Sequence, residues 1–306
     1  PPGSGKTYAM TYDVINNSNY NLEIILSKEK SSIKAVCEKF KKHIPSIKPE
    51  IYNDGFIYKI NQKHIICATV DSLIYVLSGG NNTRHRNTFR GMAQDIEDNG
   101  TKLSNFGIFT LKGQSIRLCY KSRIIIDEAT KTPSECYINA VYKILQETGS
   151  DLHFCGDVLQ STNTCENMMR DVRSFFETKE GINVKFDEGN EIRRFGSAGV
   201  DFLNSVIPYD RLGVTRPIAH PDAPKDTDIF CNSFEEPNIE PIIELLKSDQ
   251  KELGLHPEDV LILCVPTYKD YFSELQVLIH NFWCDLYPDY DDNSQFLAYL
   301  HTSQTG

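Results

Sequence analysis

Apolar residues along this chain gather in short runs of strand length, and the stretches between them carry helical spacing. "TYAMTYDVINN" reads as a short helix, and "NLEIILS" follows as an apolar strand ending on Ser27. "SSIKAVCEKFKKH" places Ile33, Val36 and Phe40 on one helical face and Lys34, Lys39, Lys41 and Lys42 mostly around the other. "IYNDGFIYKINQKHIICAT" predicts a hairpin, with Asn-Asp-Gly as its turn. "SRIIIDEAT" and "DLHFCGD" are apolar strands that end in carboxylates, with helical patterns between and after them. This alternation predicts an α/β fold: a parallel sheet covered by helices on both faces, with ligands at the carboxyl ends of the strands.

Two stretches break the pattern. From Ser78 to Asn105 the chain turns to Gly, Asn, Arg and Asp with little periodicity, which reads as an inserted loop or small subdomain. From Tyr209 to Asp228, "RPIAHPDAPKD" carries three prolines and no helical spacing. A domain boundary there divides the chain into residues 1–224 and 225–306. Beyond it, "DTDIFCNSF", "NIEPIIELLKS", "EDVLILCVPT" and "YFSELQVLIHNFW" start a second strand-helix series.

Length and composition fit this reading. The 306 residues suffice for two domains with their own cores, and 40% hydrophobic, 24% charged and 10% aromatic residues make a globular composition. No apolar run is long enough to cross a bilayer and no signal peptide is visible, so the expectation is a soluble, intracellular protein without a membrane partner. Nine scattered cysteines without a C-x-x-C pair or a histidine at zinc spacing read as reduced thiols. The net charge of -10 argues against holding nucleic acid by overall charge, while leaving room for a local basic groove.

Candidate chemistry sits at the strand ends. "PPGSGKT" is a phosphate-binding loop that lacks only its leading glycine. In such a loop Pro2, Gly3, Ser4 and Gly5 let backbone N–H groups turn toward the phosphates of a nucleotide. Lys6 reaches the outer phosphates, and the Thr7 hydroxyl joins a Mg²⁺ shell. "IIIDEAT" brings Asp127 to a strand end, where it would hold the metal, and Glu128 beside it would accept a proton from attacking water. "FCGDVLQ" places Asp157 and Gln160 past the next strand, where a glutamine amide can report the terminal phosphate.

The order of these motifs resembles the superfamily 1 (UvrD/Rep-like) helicases. The P-loop is followed by "IILSKEKSS" in place of motif Ia, then "ATVDSLI", "IIIDEAT", "CGDVLQ" and the arginine segment "NEIRRFG". The later segments, among them "RRFGSAGVDFLNSVIPY" and "LQVLIHNFW", resemble the divergent helicases of giant DNA viruses. The resemblance implies a P-loop NTPase fold with a RecA-like first domain and a partial second one, ATP and Mg²⁺ as cofactors, and ATP bound between the domains. It implies a motor moving on single-stranded nucleic acid, DNA rather than RNA; for a viral protein the compartment would be a host cytoplasm or nucleus. It assigns catalysis to Glu128, Gln160 and Arg194, with Arg193 standing where the family stacks a tyrosine on adenine. Ser27, Thr69 and Ser72 become phosphate contacts on the nucleic acid, although Thr69 and Ser72 also suit simple helix capping. Arg84, His85, Arg86 and Arg90 fit either a strand groove or a solvated loop, and Phe282 and Trp283 either base stacking or a core.

The ends carry an expectation too. "LAYLHTSQTG" resembles a stretch that precedes motif V, and neither motif VI nor the strand leading into Pro1 is present. The 306 residues are therefore expected to be an internal piece of a longer chain, poor at hydrolysing ATP alone. Two other readings remain: a P-loop remodelling ATPase, which predicts a helical lid after the first domain, and an inactive nucleic-acid-binding scaffold.

Overall fold

Uninterrupted runs of isoleucine and leucine demand burial on both sides, and they form the middle of the sheet. In the computed structural model, which describes residues 4–52, 55–60, 62–79, 88–104, 107–111, 113–157, 168–224, 240–254, 256 and 269–287, strands β1 (Leu22–Ser27) and β7 (Ser122–Ile126) are buried along their whole length. β1 pairs in parallel with β4 (Lys63–Thr69) on one side and β7 on the other, and β7 pairs in parallel with β8 (Asp151–Phe154). β2 (Glu50–Tyr52) and β3 (Gly55–Ile60) add to β4 as antiparallel neighbours, giving the order β2-β3-β4-β1-β7-β8. The sheet is thus mostly rather than wholly parallel. The segment expected to be one hairpin is an antiparallel meander of three strands. Gly55 sits opposite Ala68, and a Cβ there would lie 2.4 Å from the Cys67 carbonyl oxygen, so the close strand approach requires glycine.

Helices cover both faces. On one lie α1 (Lys6–Asn16) and α2 (Lys30–His43), whose Met10, Val14, Ile33, Val36, Cys37 and Phe40 pack on Ile25, Ile65, Cys67 and Ile125. On the other lie α3 (Val70–Leu77), α4 (Phe89–Asn99), α5 (Glu135–Thr148) and α6 (Met168–Glu177) over Ile24, Leu26, Ile66, Ile124 and Ile126. A hairpin of β5 (Ile108–Leu111) and β6 (Gln114–Arg117) closes this second core with Phe109 and Ile116. The stretch from Ser78 to Asn105, irregular by its sequence, contains α4, with Thr88 as its N-cap and Met92, Ala93 and Ile96 buried. Its apolar positions are few, but they fall on one face, and packing against α5 supplies what local pattern lacks.

Further along come a short parallel pair, β9 (Glu191–Ile192) and β10 (Ile218–Ala219), and helices α7 (Ser197–Val206) and α8 (Tyr209–Leu212). The chain divides into two compact units, residues 1–229 and 230–306. In the second, α9 (Glu240–Leu253) and α10 (Lys269–Leu286) pack through Leu246, Ile279 and Trp283. Trp283 is 1% exposed with Phe282 beside it, so the pair forms core rather than a stacking platform. The two strands expected in this unit lie outside the described residues. Among the described residues, no helix is long and apolar enough to cross a membrane.

Candidate functional site

Side chains alternate across a strand, and the register decides which ones meet at the carboxyl edge. Ile25, Cys67 and Ile125 face α1 and α2, so two residues further on Ser27, Thr69 and Asp127 stand on that same face at the strand ends. The pairing continues one step past β7, where Asp127 N–H donates to the Leu26 carbonyl at 2.8 Å. Over this row lies the start of α1. Gly5 precedes it in the left-handed region (φ 81°), a conformation that suits glycine and turns the backbone sharply into the helix.

The turn brings two distant segments together. Thr7 Oγ1 donates to Asp127 Oδ2 at 3.1 Å across 120 residues of sequence, and Lys6 Nζ lies 3.4 Å from Ser4 Oγ. Asp127 is 2% exposed. Burial pushes its carboxyl above the usual carboxylate range and the neighbouring Glu128 charge adds to the rise, while the Thr7 hydroxyl, a backbone N–H and Lys6 pull it back. The same burial, with the Asp127 charge, raises the Cys155 thiol to about 11.

A carboxyl whose proton is held more tightly in the folded state loses stability as pH climbs from the ordinary carboxylate range through its raised value, and the loss persists at neutral pH. Asp127→Asn is therefore expected to melt at a higher temperature than the parent at pH 7 in chelator, with the gap closing as the pH falls below about 4. Thermal melts of both proteins across that pH range check this, and equal melting temperatures at pH 7 would contradict it.

Glu128 carries the one positive φ of a non-glycine residue among the described residues, φ 51° and ψ 45°. A glutamate there costs on the order of 1–2 kcal/mol of backbone strain. The strain is held by hydrogen bonds on both sides: Ala129 N–H donates to the Cys155 carbonyl at 2.9 Å, and Lys131 N–H to the Glu128 carbonyl at 2.9 Å. The Glu128 Oε2 atom is buried without a hydrogen-bond partner among the described residues. A buried carboxylate oxygen left unpaired beside a desolvated aspartate is a donor set short of positive charge. This fits a Mg²⁺ ion, which takes one or two carboxylates and fills its remaining positions with water and phosphate oxygens.

The remaining sequence candidates fall unevenly. Pro2, Gly3 and Gln160 lie outside the described residues, as do Arg84, His85 and Arg86; Arg90 is exposed on α4. The Arg193 side chain comes to the Gly5 turn, with its Cδ 3.7 Å from where a Cβ on Gly5 would stand. Arg194 is exposed, and no described contact brings it to Lys6 or Thr7. Ser27 is fully buried at the end of β1, and its hydroxyl has no partner among the described residues. Thr69 is the N-cap of α3: its Oγ1 accepts from Ser72 N–H at 3.1 Å and lies 2.7 Å from the Ser72 hydroxyl. The capping role is realised, and both hydroxyls are engaged with each other.

Sequence reasoning passed over a cluster beside this cap. Lys28 Nζ donates to both Asp71 oxygens at 2.8 Å and lies 3.1 Å from the Tyr137 hydroxyl, which itself donates to Asp71 at 2.7 Å. These three residues tie the ends of β1, α3 and α5 together. No local spacing announces them, since Lys28 and Asp71 are 43 residues apart and Asp71 and Tyr137 are 66.

No family model matches this chain, and no curated protein matches it. Among solved structures it is similar to the large terminase of a thermophilic bacteriophage, at 13% identity and a TM-score of 0.29 over 50% of this chain and 31% of that one. The chain spans about a third of the terminase's length. A likeness this slight carries no argument about fold or activity, so the functional reading rests on the residues at the strand ends.

Proposed function

We propose that the chain is an ATP- and Mg²⁺-dependent nucleic-acid motor of the superfamily 1 helicase type, with residues 1–224 as its first RecA-like ATPase domain and 225–306 belonging to a second. The observation that carries the reading is the Thr7–Asp127 hydrogen bond at the carboxyl ends of parallel strands, beside a strained Glu128 whose buried Oε2 has no partner among the described residues. Thr7 and Asp127 would hold Mg²⁺, which when bound offsets phosphate charge. Lys6 would neutralise the outer phosphates, and Glu128 would accept the proton of the water attacking the terminal phosphate. Gln160 and Arg194 would meet the terminal phosphate, and Arg193, at the Gly5 turn, offers a guanidinium plane for the adenine. Single-stranded DNA would run past the N-terminus of α3, where Thr69 and Ser72 lie.

ATP hydrolysis by the full-length protein, with and without single-stranded DNA, tests this. Strong stimulation by DNA, lost in Lys6→Ala, is the expected result. Hydrolysis that DNA does not change would replace the motor with a remodelling ATPase, and no hydrolysis would leave a scaffold.

A further inference from the structure

We propose that the exposed face of α1 and α2 around Tyr12, His43 and Lys39 is a second binding surface for single-stranded nucleic acid. The two helices already satisfy the core through their inner faces, Met10 and Val14 on α1 and Ile33, Val36, Cys37 and Phe40 on α2. Tyr8 and Tyr12 take no part in that packing: one helical turn apart on α1, they are 52% and 58% exposed. Both rings lean on His43 at the end of α2, with centroids 4.4 Å and 5.7 Å from the imidazole. The His43 Nε2 atom is buried without a hydrogen-bond partner among the described residues. Three rings are thus held together at the surface with the outward faces of the tyrosines uncovered.

The charge beside them is one-sided. α2 carries Lys30, Lys34, Lys39, Lys41 and Lys42 against a single glutamate, Glu38, in a chain whose net charge is -10. Lys41 is taken up by Glu38 at 2.7 Å. Lys39 and Lys42 carry no ion pair among the described residues; Lys39 stands one turn before His43, the residue that touches Tyr8 and Tyr12, and Lys42 directly precedes it. An acidic protein that gathers unpaired lysines against exposed rings has the two parts of a single-strand platform, cations for the phosphates and π-faces for the bases. Such a surface reads no sequence, because every base can stack and every phosphate carries the same charge. The inference stands apart from the ATP site, and each can fail without the other.

The test is fluorescence anisotropy of the full chain with a fluorescein-labelled oligo-dT of about 20 nucleotides, titrated at several salt concentrations. Tyr8 is left intact because it lies next to Thr7; the variants are Tyr12→Ala, Tyr12→Phe and the double Lys39→Glu/Lys42→Glu. The double variant is expected to bind at least about tenfold more weakly, with a salt slope shallower by about 1.4, corresponding to two lost phosphate contacts. Tyr12→Ala should weaken binding by about fivefold or more, and Tyr12→Phe, which keeps the ring, should stay within about twofold. Affinity for a fluorescent adenine nucleotide should be unchanged in all three, which separates this surface from the ATP site. The proposal is overturned if the parent chain does not bind the probe, or if every variant binds within about twofold of it. It is equally overturned if poly-glutamate displaces the probe as well as unlabelled oligo-dT does, since the face would then suit an acidic protein.

Discussion

Glu128→Gln is expected to lower ATP turnover by about two to four orders of magnitude while leaving Mg-ATP affinity within a few fold. Glutamine keeps the length and shape of the side chain and can still hydrogen-bond a water, but it cannot take the proton that the attacking water must lose. The backbone contributes to the size of the effect. At φ 51° Glu128 is turned out of line with β7, and the Ala129 bond to the Cys155 carbonyl pins its strained turn, so the direction in which its side chain leaves the backbone is set by the sheet. On the proposed reading Lys6→Ala should behave differently, weakening nucleotide binding itself because the lysine would meet charge present before the reaction begins. Single-turnover hydrolysis together with nucleotide titration of both variants separates the two roles. Turnover by Glu128→Gln close to that of the parent would remove Glu128 from the reaction and leave its strain without a chemical purpose.

The second large effect lies at the opposite end of the same strands. Glu23 is fully buried in β1 and accepts two hydrogen bonds from Arg123 on β7, Nε to Oε2 at 2.6 Å and Nη2 to Oε1 at 3.0 Å. Lys63 on β4 stands 2.7 Å from Glu23 Oε1 and donates to the Val14 and Asn17 carbonyls at the end of α1. Arg123 reaches Asp13 on α1 at 2.7 Å and lies under the Tyr20 ring, whose hydroxyl, raised to about 12 mainly by burial and its bond to Asp151, closes the chain of contacts at 2.5 Å. Glu23→Leu would leave Arg123 and Lys63 with buried charge facing a side chain that cannot answer it. A loss of about 3–5 kcal/mol is expected, read as a lower midpoint in urea unfolding. Replacing the three charges together, Glu23→Leu with Lys63→Met and Arg123→Met, should recover most of that loss, because the three buried charges are then removed together. If the triple variant were no more stable than the single one, the lysine's grip on the end of α1 would outweigh the charge balance. The network holds α1 at Asp13, Val14 and Asn17, and the same helix carries Lys6 and Thr7 at its other end.

The alternation of apolar runs and helical spacing placed β1, β7, β8, α1 and α2 correctly, and the inward positions Ile33, Val36 and Phe40 are those that pack. Thr7 and Asp127 each read locally, one after a glycine turn and one at a strand end, but the hydrogen bond that joins them spans 120 residues and is set by the sheet. The antiparallel β2 and β3, the helix α4, the buried hydroxyl of Ser27 and the Lys28–Asp71–Tyr137 cluster were not legible in the same way. Ser27 reads as a polar residue at a strand end, and only the pairing with β4 and β7 on either side shows that it is enclosed. Glu23 reads as a charge interrupting an apolar strand, and only the register that sets it beside Arg123 and Lys63 explains how it can be buried. The sequence by itself determined the central strands β1, β7 and β8 and the flanking helices α1 and α2, because those depend on periodicities a few residues long. The tertiary structure alone decided which charges meet, which hydroxyls lose water and where the backbone is forced into strain, because these depend on contacts between residues tens to more than a hundred positions apart, whose register no local pattern encodes.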